Sequence, residues 1–216
     1  MGTLPTFLGI GTPRAGTTWL YELLGGHPNV YVPSKRKEVH FFDRYYERGF
    51  SWYQSFFPQG SAAEQYKAIG EITPHYLYDS LSPPRIAAVQ TVDRLFVILR
   101  SPVDRAYSHY VFRMRLDNFV GDFRSFLDAY PDAIDWGFYS RPLARYFSHI
   151  DRDKFLVLIF EELFQDIPSA VRRVARFLEV DPEGFIDGEI KKKVNPSFLP
   201  RHRTLYTWAI KVADAL

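Results

Sequence analysis

The 216-residue chain has no cysteine at all. It therefore forms neither disulfides nor thiolate metal sites, and nothing in it requires an oxidising compartment. Long apolar runs are missing as well. The longest, such as 155–160, are strand-sized and far short of the roughly 18 residues a membrane span needs. The opening residues lack the charged-then-apolar layout of a secretory leader. Neither sign of charge dominates: 27 basic against 25 acidic residues leave +2, too little to argue for nucleic acid. The short basic runs at 35–37, 172–173, 191–193 and 201–203 read as solvated faces. Asn195-Pro196-Ser197 has the outline of a glycosylation site, which its proline disqualifies.

Aromatic residues are plentiful, with 19 Phe, 14 Tyr and 4 Trp. They imply a ring-rich core, a ring-lined cleft that stacks a base or sugar, or both. The length suits one sizeable core, and no linker or repeat divides it. Short apolar, β-branched runs alternate with amphipathic stretches. That pattern predicts strands at 6–10, 30–32, 68–72, 95–99 and 155–160, the last two as central strands buried on both faces. Helices fit 18–24, 51–57, 84–92, 103–115, 123–129, 142–149 and 169–178. Asp122 is placed to cap one of them, and Val171, Val174, Ala175 and Leu178 form a single apolar stripe on another. The fold expected is α/β: a single domain with a P-loop-like central parallel sheet and helices on both faces.

The most informative stretch is Phe7-Leu8-Gly9-Ile10-Gly11-Thr12-Pro13-Arg14-Ala15-Gly16-Thr17-Thr18-Trp19-Leu20. A strand, a tight turn and a helix N-terminus in that order make an anion cradle, because backbone N–H groups and the helix dipole both favour negative charge there. Gly11 and Gly16 have P-loop spacing. Thr17, however, occupies the position where a P-loop carries lysine, and the nearest cation is Arg14, inside the turn. A second signal is Leu95–Pro102, an apolar strand that delivers Arg100 at its C-terminal end, where open α/β sheets place ligands. Ser108 follows two helical turns later, and the pair suits a phosphate. A strand ending in arginine argues against an NTPase, whose strand supplies a Mg²⁺-binding aspartate. Arg105 either braces Asp104 or reaches phosphate. In Lys37-Glu38-Val39-His40-Phe41-Phe42-Asp43, Glu38 and His40 are two of the few groups near the loop able to take a proton.

Together these segments, within a span from about Thr6 to Arg203, resemble the sulfotransferases that use 3′-phosphoadenosine 5′-phosphosulfate (PAPS). The resemblance is to the carbohydrate (heparan sulfate-type) branch and its bacterial relatives. It implies that Arg14, where most members carry lysine, acts with the backbone N–H groups of Ala15, Gly16, Thr17 and Thr18 on the leaving phosphate. Arg100 and Ser108 would hold the 3′-phosphate. Glu38 would be the general base, with His40 the alternative, and Lys37 would orient the acid or contact sulfuryl oxygens. In Gly70-Glu71-Ile72-Thr73-Pro74-His75-Tyr76-Leu77, Glu71 and Tyr76 match the family pattern, whereas Ile72 stands where those enzymes place a lysine near the sulfuryl group. Tyr139 is either a substrate contact or packing. Residues 195–201 lie where relatives have a mobile loop over the nucleotide, with Arg201 or Arg203 as a phosphate clamp.

The function expected is transfer of a sulfuryl group from PAPS to an acceptor hydroxyl, that of a carbohydrate or glycolipid, releasing 3′-phosphoadenosine 5′-phosphate (PAP). No metal, nucleic acid or membrane span is expected. A cytoplasmic enzyme fits better than a membrane-anchored Golgi one. The alternatives are a small-molecule or nucleoside kinase, which needs Mg²⁺, and a non-catalytic nucleotide-binding module. Residues 1–216 are expected to form the single domain but to lack a C-terminal helical segment, leaving the nucleotide site open there or closed by a partner chain.

Overall fold

The computed structural model describes residues 2–185. Arg201, Arg203, the 195–201 loop, the 191–193 run and the expected terminal helix all lie outside the described residues. Five parallel strands form one sheet: β1 Phe7–Gly11, β2 Val30–Tyr31, β3 Ala68–Ile72, β4 Arg94–Leu99 and β5 Phe155–Ile159, in the order β2-β3-β1-β4-β5. Among the described residues, ten α-helices connect and cover them. They are α1 Thr17–Gly25, α2 Gly49–Gln54, α3 Ser61–Glu64, α4 Ser82–Ala87, α5 Pro102–Leu116, α6 Phe123–Ala129, α7 Asp132–Asp135, α8 Ser140–Phe147, α9 Phe160–Gln165 and α10 Ile167–Leu178.

The central position of β1 explains its composition. All five residues are buried because both faces are covered. Phe7 faces a cluster built with α1 and α10 (Trp19, Leu20, Val174, Leu178), joined by Phe96 and Ile98 of β4. Leu8 and Ile10 face the opposite cluster, which holds Tyr53, Tyr76, Ile86 and Tyr146 together with Leu95 and Val97. The period-2 alternation of a strand thus divides one apolar run between two half-cores. Much of the aromatic content goes into the second of these, where Phe41 stacks on Tyr53 at 4.2 Å between centroids and 7°. No helix among the described residues is long and apolar enough to cross a membrane.

One expectation about the sheet and one about a helix need correction. The 155–160 run is an edge strand and only partly buried, because the strand order places it outside β4. Its last residue, Phe160, opens α9 and packs on Phe164 at helical spacing, 4.7 Å between centroids. The 84–92 helix begins earlier and ends at Ala87; its start is fixed by the Asp79 carboxylate, which accepts from the Ser82 N–H at 2.6 Å. Asp122 caps α6 as expected, accepting from the Ser125 N–H at 2.8 Å. The apolar stripe of α10 is buried in full.

Candidate active site

The carboxyl ends of β1 and β4 lie side by side, and the loops leaving them form one wall of a cleft of about 520 Å³. The chain after β1 turns through Arg14, at φ 70°, and Gly16, at φ 92°. Gly16 is the N-cap of α1 and sits in left-handed backbone. A Cβ there would also approach Phe160 to 3.2 Å, so both conformation and space call for glycine. Gly16, Thr17 and Thr18 line the cleft. The first amides of a helix have no intrahelical partner and are free for an anion. Ala15 is the exception among the loop residues expected to bind phosphate. Its side chain is fully buried in the core, and its N–H is committed to the Thr12 carbonyl at 3.2 Å.

Arg14 and Arg100 both reach the cleft, each laid over a ring: Arg14 over Phe112 at 4.4 Å, Arg100 over Phe160 at 4.2 Å. The Nε atoms of both are buried without a hydrogen-bond partner. Burial pushes the Arg14 pKa down to about 10, and repulsion from Arg100 and Arg115 adds to it. Two crowded guanidinium groups with orphaned donors make a site that an anion relieves. Ser108 lines the same space from α5. Arg105, by contrast, is fully buried beneath it and donates to the Ala133 carbonyl, tying α5 to α7. It neither braces Asp104 nor reaches the cleft, because its position on the helix faces the α7 packing surface. Tyr139 is a brace too: its hydroxyl donates to the Arg100 carbonyl at 2.7 Å.

Across the cleft stand Lys37 and Glu38. The Lys37 Nζ donates to Thr18 Oγ1 at 2.7 Å and lies 3.7 Å from Glu38 Oε1, so one ammonium links the anion loop to the acid. Burial lowers the Lys37 pKa, and Glu38 opposes that shift. His40 sits behind Glu38. Its Nδ1 is 2.9 Å from Asp43 Oδ2, and its Nε2 is 3.4 Å from Glu38 Oε2. Burial disfavours the imidazolium, but these two carboxylates prevail and raise its pKa to about 9. His40 is therefore protonated at neutral pH and donates from both nitrogens, which is not the resting state of a base. For Glu38 burial pulls upward, yet His40, His75 and Lys37 together hold it well below the usual carboxylate range.

The sequence motif assigns His75 no role. His75 lines the cleft with its Nδ1 3.8 Å from Glu38 Oε2. Ile72 itself is fully buried in the core. The turn at Pro74–Leu77 sends Tyr76 and Leu77 inward and leaves His75 facing out. The fold brings His40 and His75 together, 5.4 Å between ring centroids, although they lie far apart in sequence. With Glu38 they place three ligand atoms within 4.8 Å, an arrangement a metal ion would accept. His40 and Glu38 already satisfy each other there, with Asp43 and Lys37.

Glu71 takes no part in the cleft. It is fully buried, and its two oxygens accept from Tyr76 at 2.7 Å, Thr73 at 2.7 Å and Tyr53 at 3.3 Å. Burial pushes its pKa up to about 7 against those hydrogen bonds. The rest of the wall was not anticipated: His109, Phe112, Arg113, Trp136, Phe160 and Phe164. Helical spacing from Ser108 to Phe112 was the available signal for one of them. His109 stacks on Trp136 at 2° and accepts from Arg113 at Nε2, and burial lowers its pKa to about 4.

A family model described as "Sulfotransferase domain" matches residues 4–206, and the chain belongs to that family. It is 32% identical over 184 residues to heparan sulfate glucosamine 3-O-sulfotransferase 3B1 of Mus musculus, covering 81% of this chain and 46% of that protein. To the membrane-associated sulfotransferase kil1 of Dictyostelium discoideum it is 39% identical over 112 residues, covering 52% of this chain and 24% of that one. The crystal structure of a sulfotransferase from Alicyclobacillus acidocaldarius superposes with a TM-score of 0.75 at 25% identity, over 98% of this chain and 93% of that one. The chain thus spans between a quarter and a half of the length of these two relatives from mouse and Dictyostelium.

Proposed function

We propose that the protein transfers a sulfuryl group from PAPS to a hydroxyl of a carbohydrate acceptor. The observation that carries this is the shared cleft: two arginines with orphaned donors on one wall and a lysine-linked carboxylate on the other. Arg100 and Ser108 take the 3′-phosphate. Arg14 and the α1 N-terminus take the 5′-phosphate, and Lys37 reaches the sulfuryl oxygens. The acceptor oxygen attacks sulfur, the bond from sulfur to the 5′-phosphate oxygen breaks, and its electron pair stays on the phosphate of PAP. The acceptor proton passes to Glu38. A loose, in-line transfer of this kind demands positioning and charge neutralisation more than covalent participation. The proton leaves late in such a step, so a weakly basic carboxylate suffices. The name of the mouse relative supports a glycan acceptor.

The kinase alternative fails at two positions. Thr17 stands where a P-loop lysine belongs, and β4 is followed by Arg100 instead of a metal-binding carboxylate. A purely binding module has no use for Glu38 facing the donor loop. Titration calorimetry with PAP and with ATP tests the reading. PAP is expected to bind and ATP to bind weakly; preference for ATP, or no binding of either, would sink it.

A further inference from the structure

Glu38 reaches the cleft, with His40 behind it, from a segment with no regular secondary structure, and His40 has left-handed backbone at φ 58°. A non-glycine residue keeps that conformation only where its surroundings hold it. The holding contacts come from below. The His40 N–H donates to Thr73 Oγ1 at 3.3 Å, and the Phe41 N–H donates to the Tyr76 hydroxyl at 2.8 Å. Each of those hydroxyls has one proton, and each gives it to Glu71, Thr73 to Oε2 and Tyr76 to Oε1. In its ionised form, which these hydrogen bonds favour against burial, the carboxylate is acceptor-only. It therefore turns both hydroxyl protons toward itself and both sets of oxygen lone pairs toward the backbone of His40 and Phe41. Tyr53 supplies a third proton from α2. The groups that face Glu71 are thus Tyr53, Thr73 and Tyr76, with the charge of His40 beyond them.

We infer that Glu71 is a positioning residue: through Thr73 and Tyr76 it fixes the backbone at His40–Phe41 and so aims the neighbouring Glu38 side chain at the acceptor. This rests on the reading that Glu38 serves sulfuryl transfer. The relay accounts for a carboxylate buried with no cation bonded to it, an expensive arrangement unless its hydrogen bonds do something for the fold. It also gives the matched Glu71 and Tyr76 a part in the reaction although neither lines the cleft.

The test uses Thr73→Val, which keeps shape but removes the hydroxyl, beside Thr73→Ser, which restores it, and Glu71→Gln. Folding is checked by thermal melting and PAP affinity by calorimetry. Hydrogen–deuterium exchange follows the peptide covering residues 38–43. In Thr73→Val, exchange in that peptide is expected to rise. Turnover is expected to fall about 10- to 100-fold, the order seen when a catalytic group is misplaced by about an ångström. PAP affinity and acceptor KM should stay near wild type, and Thr73→Ser should recover most of the turnover. Unchanged exchange at 38–43, or turnover within twofold of wild type, in folded Thr73→Val overturns the inference. If Thr73→Val does not fold, the same two criteria apply to Glu71→Gln. Glu38→Gln, measured in parallel, separates the two ideas: if it stays active the base assignment fails, whereas the exchange result still decides the relay.

Discussion

The guanidinium of Arg100 donates from an Nη nitrogen to the backbone carbonyl of Arg14 at 3.1 Å, joining the ends of two neighbouring strands across 86 residues of sequence. The residue proposed to read the 3′-phosphate therefore also steadies the loop proposed to cradle the 5′-phosphate, with its Nε left unpartnered. Hydrogen bonds to charged groups are worth about 1.5–3 kcal/mol each. Arg100→Ala is expected to weaken PAP binding at least about tenfold, or about 1.4 kcal/mol. It should also erode the preference for PAP over adenosine 5′-monophosphate. Calorimetry with both ligands checks it, and undiminished discrimination in a folded variant would refute the assignment.

Lys37 spans from the donor loop to the acid, between Thr18 Oγ1 and Glu38. Lys37→Met removes the charge nearest the proposed sulfuryl position. Loss of one such preorganised donor costs about 10²–10³ in turnover. PAP affinity should change far less than kcat, since the two arginines remain. Equal losses in both would place Lys37 in ground-state binding instead.

Glu38→Gln keeps size and hydrogen bonding but removes the site for the acceptor's proton. General-base assistance is typically worth about 10²–10⁴ in rate. A loss in that range with intact PAP binding is expected. If Glu38→Gln keeps its activity while His75→Ala or His40→Ala is dead and still binds PAP, the proton goes to an imidazole.

His40 should make stability pH-dependent. Its folded pKa is raised from 6.5 to about 9 by Asp43 and Glu38 against the cost of burial. The stabilisation is therefore complete below about pH 6.5 and lost as pH rises through about 9. The shift corresponds to at most about 3 kcal/mol, which solvent screening reduces to the order of 1–2 kcal/mol. Melting temperatures between pH 6 and 10 should fall in the wild type and stay flatter in His40→Asn. Parallel curves would mean the ion pairs contribute nothing.

Turnover is expected to be the same with and without a chelator, because Arg14, Lys37 and Arg100 line the cleft and, on the proposed reading, supply the positive charge that Mg²⁺ brings to phosphate in kinases. Activity abolished by EDTA and restored by Mg²⁺ would favour the kinase alternative.

The sequence by itself determined the sheet, the anion loop and the strand-end arginine. These are local patterns: a period-2 apolar run, glycines at a turn, and a cation one residue beyond a buried strand, all readable because neighbours along the chain decide them. The Lys37–Glu38 pair was legible for the same reason. Only the tertiary structure decided what each group does there. β5 is an edge strand because strand order, not its own apolar composition, sets its place. Ala15 leaves the ligand list because Thr12 takes its N–H, and Arg105 because α7 lies over it. His75 enters because a turn begun by Pro74 swings it beside Glu38, 37 residues away in sequence. The protonation of His40 and the burial of Glu71 follow from contacts between segments that no spacing along the chain encodes. Charge and hydrogen-bond partnership depend on distance in space, and folding alone sets that distance.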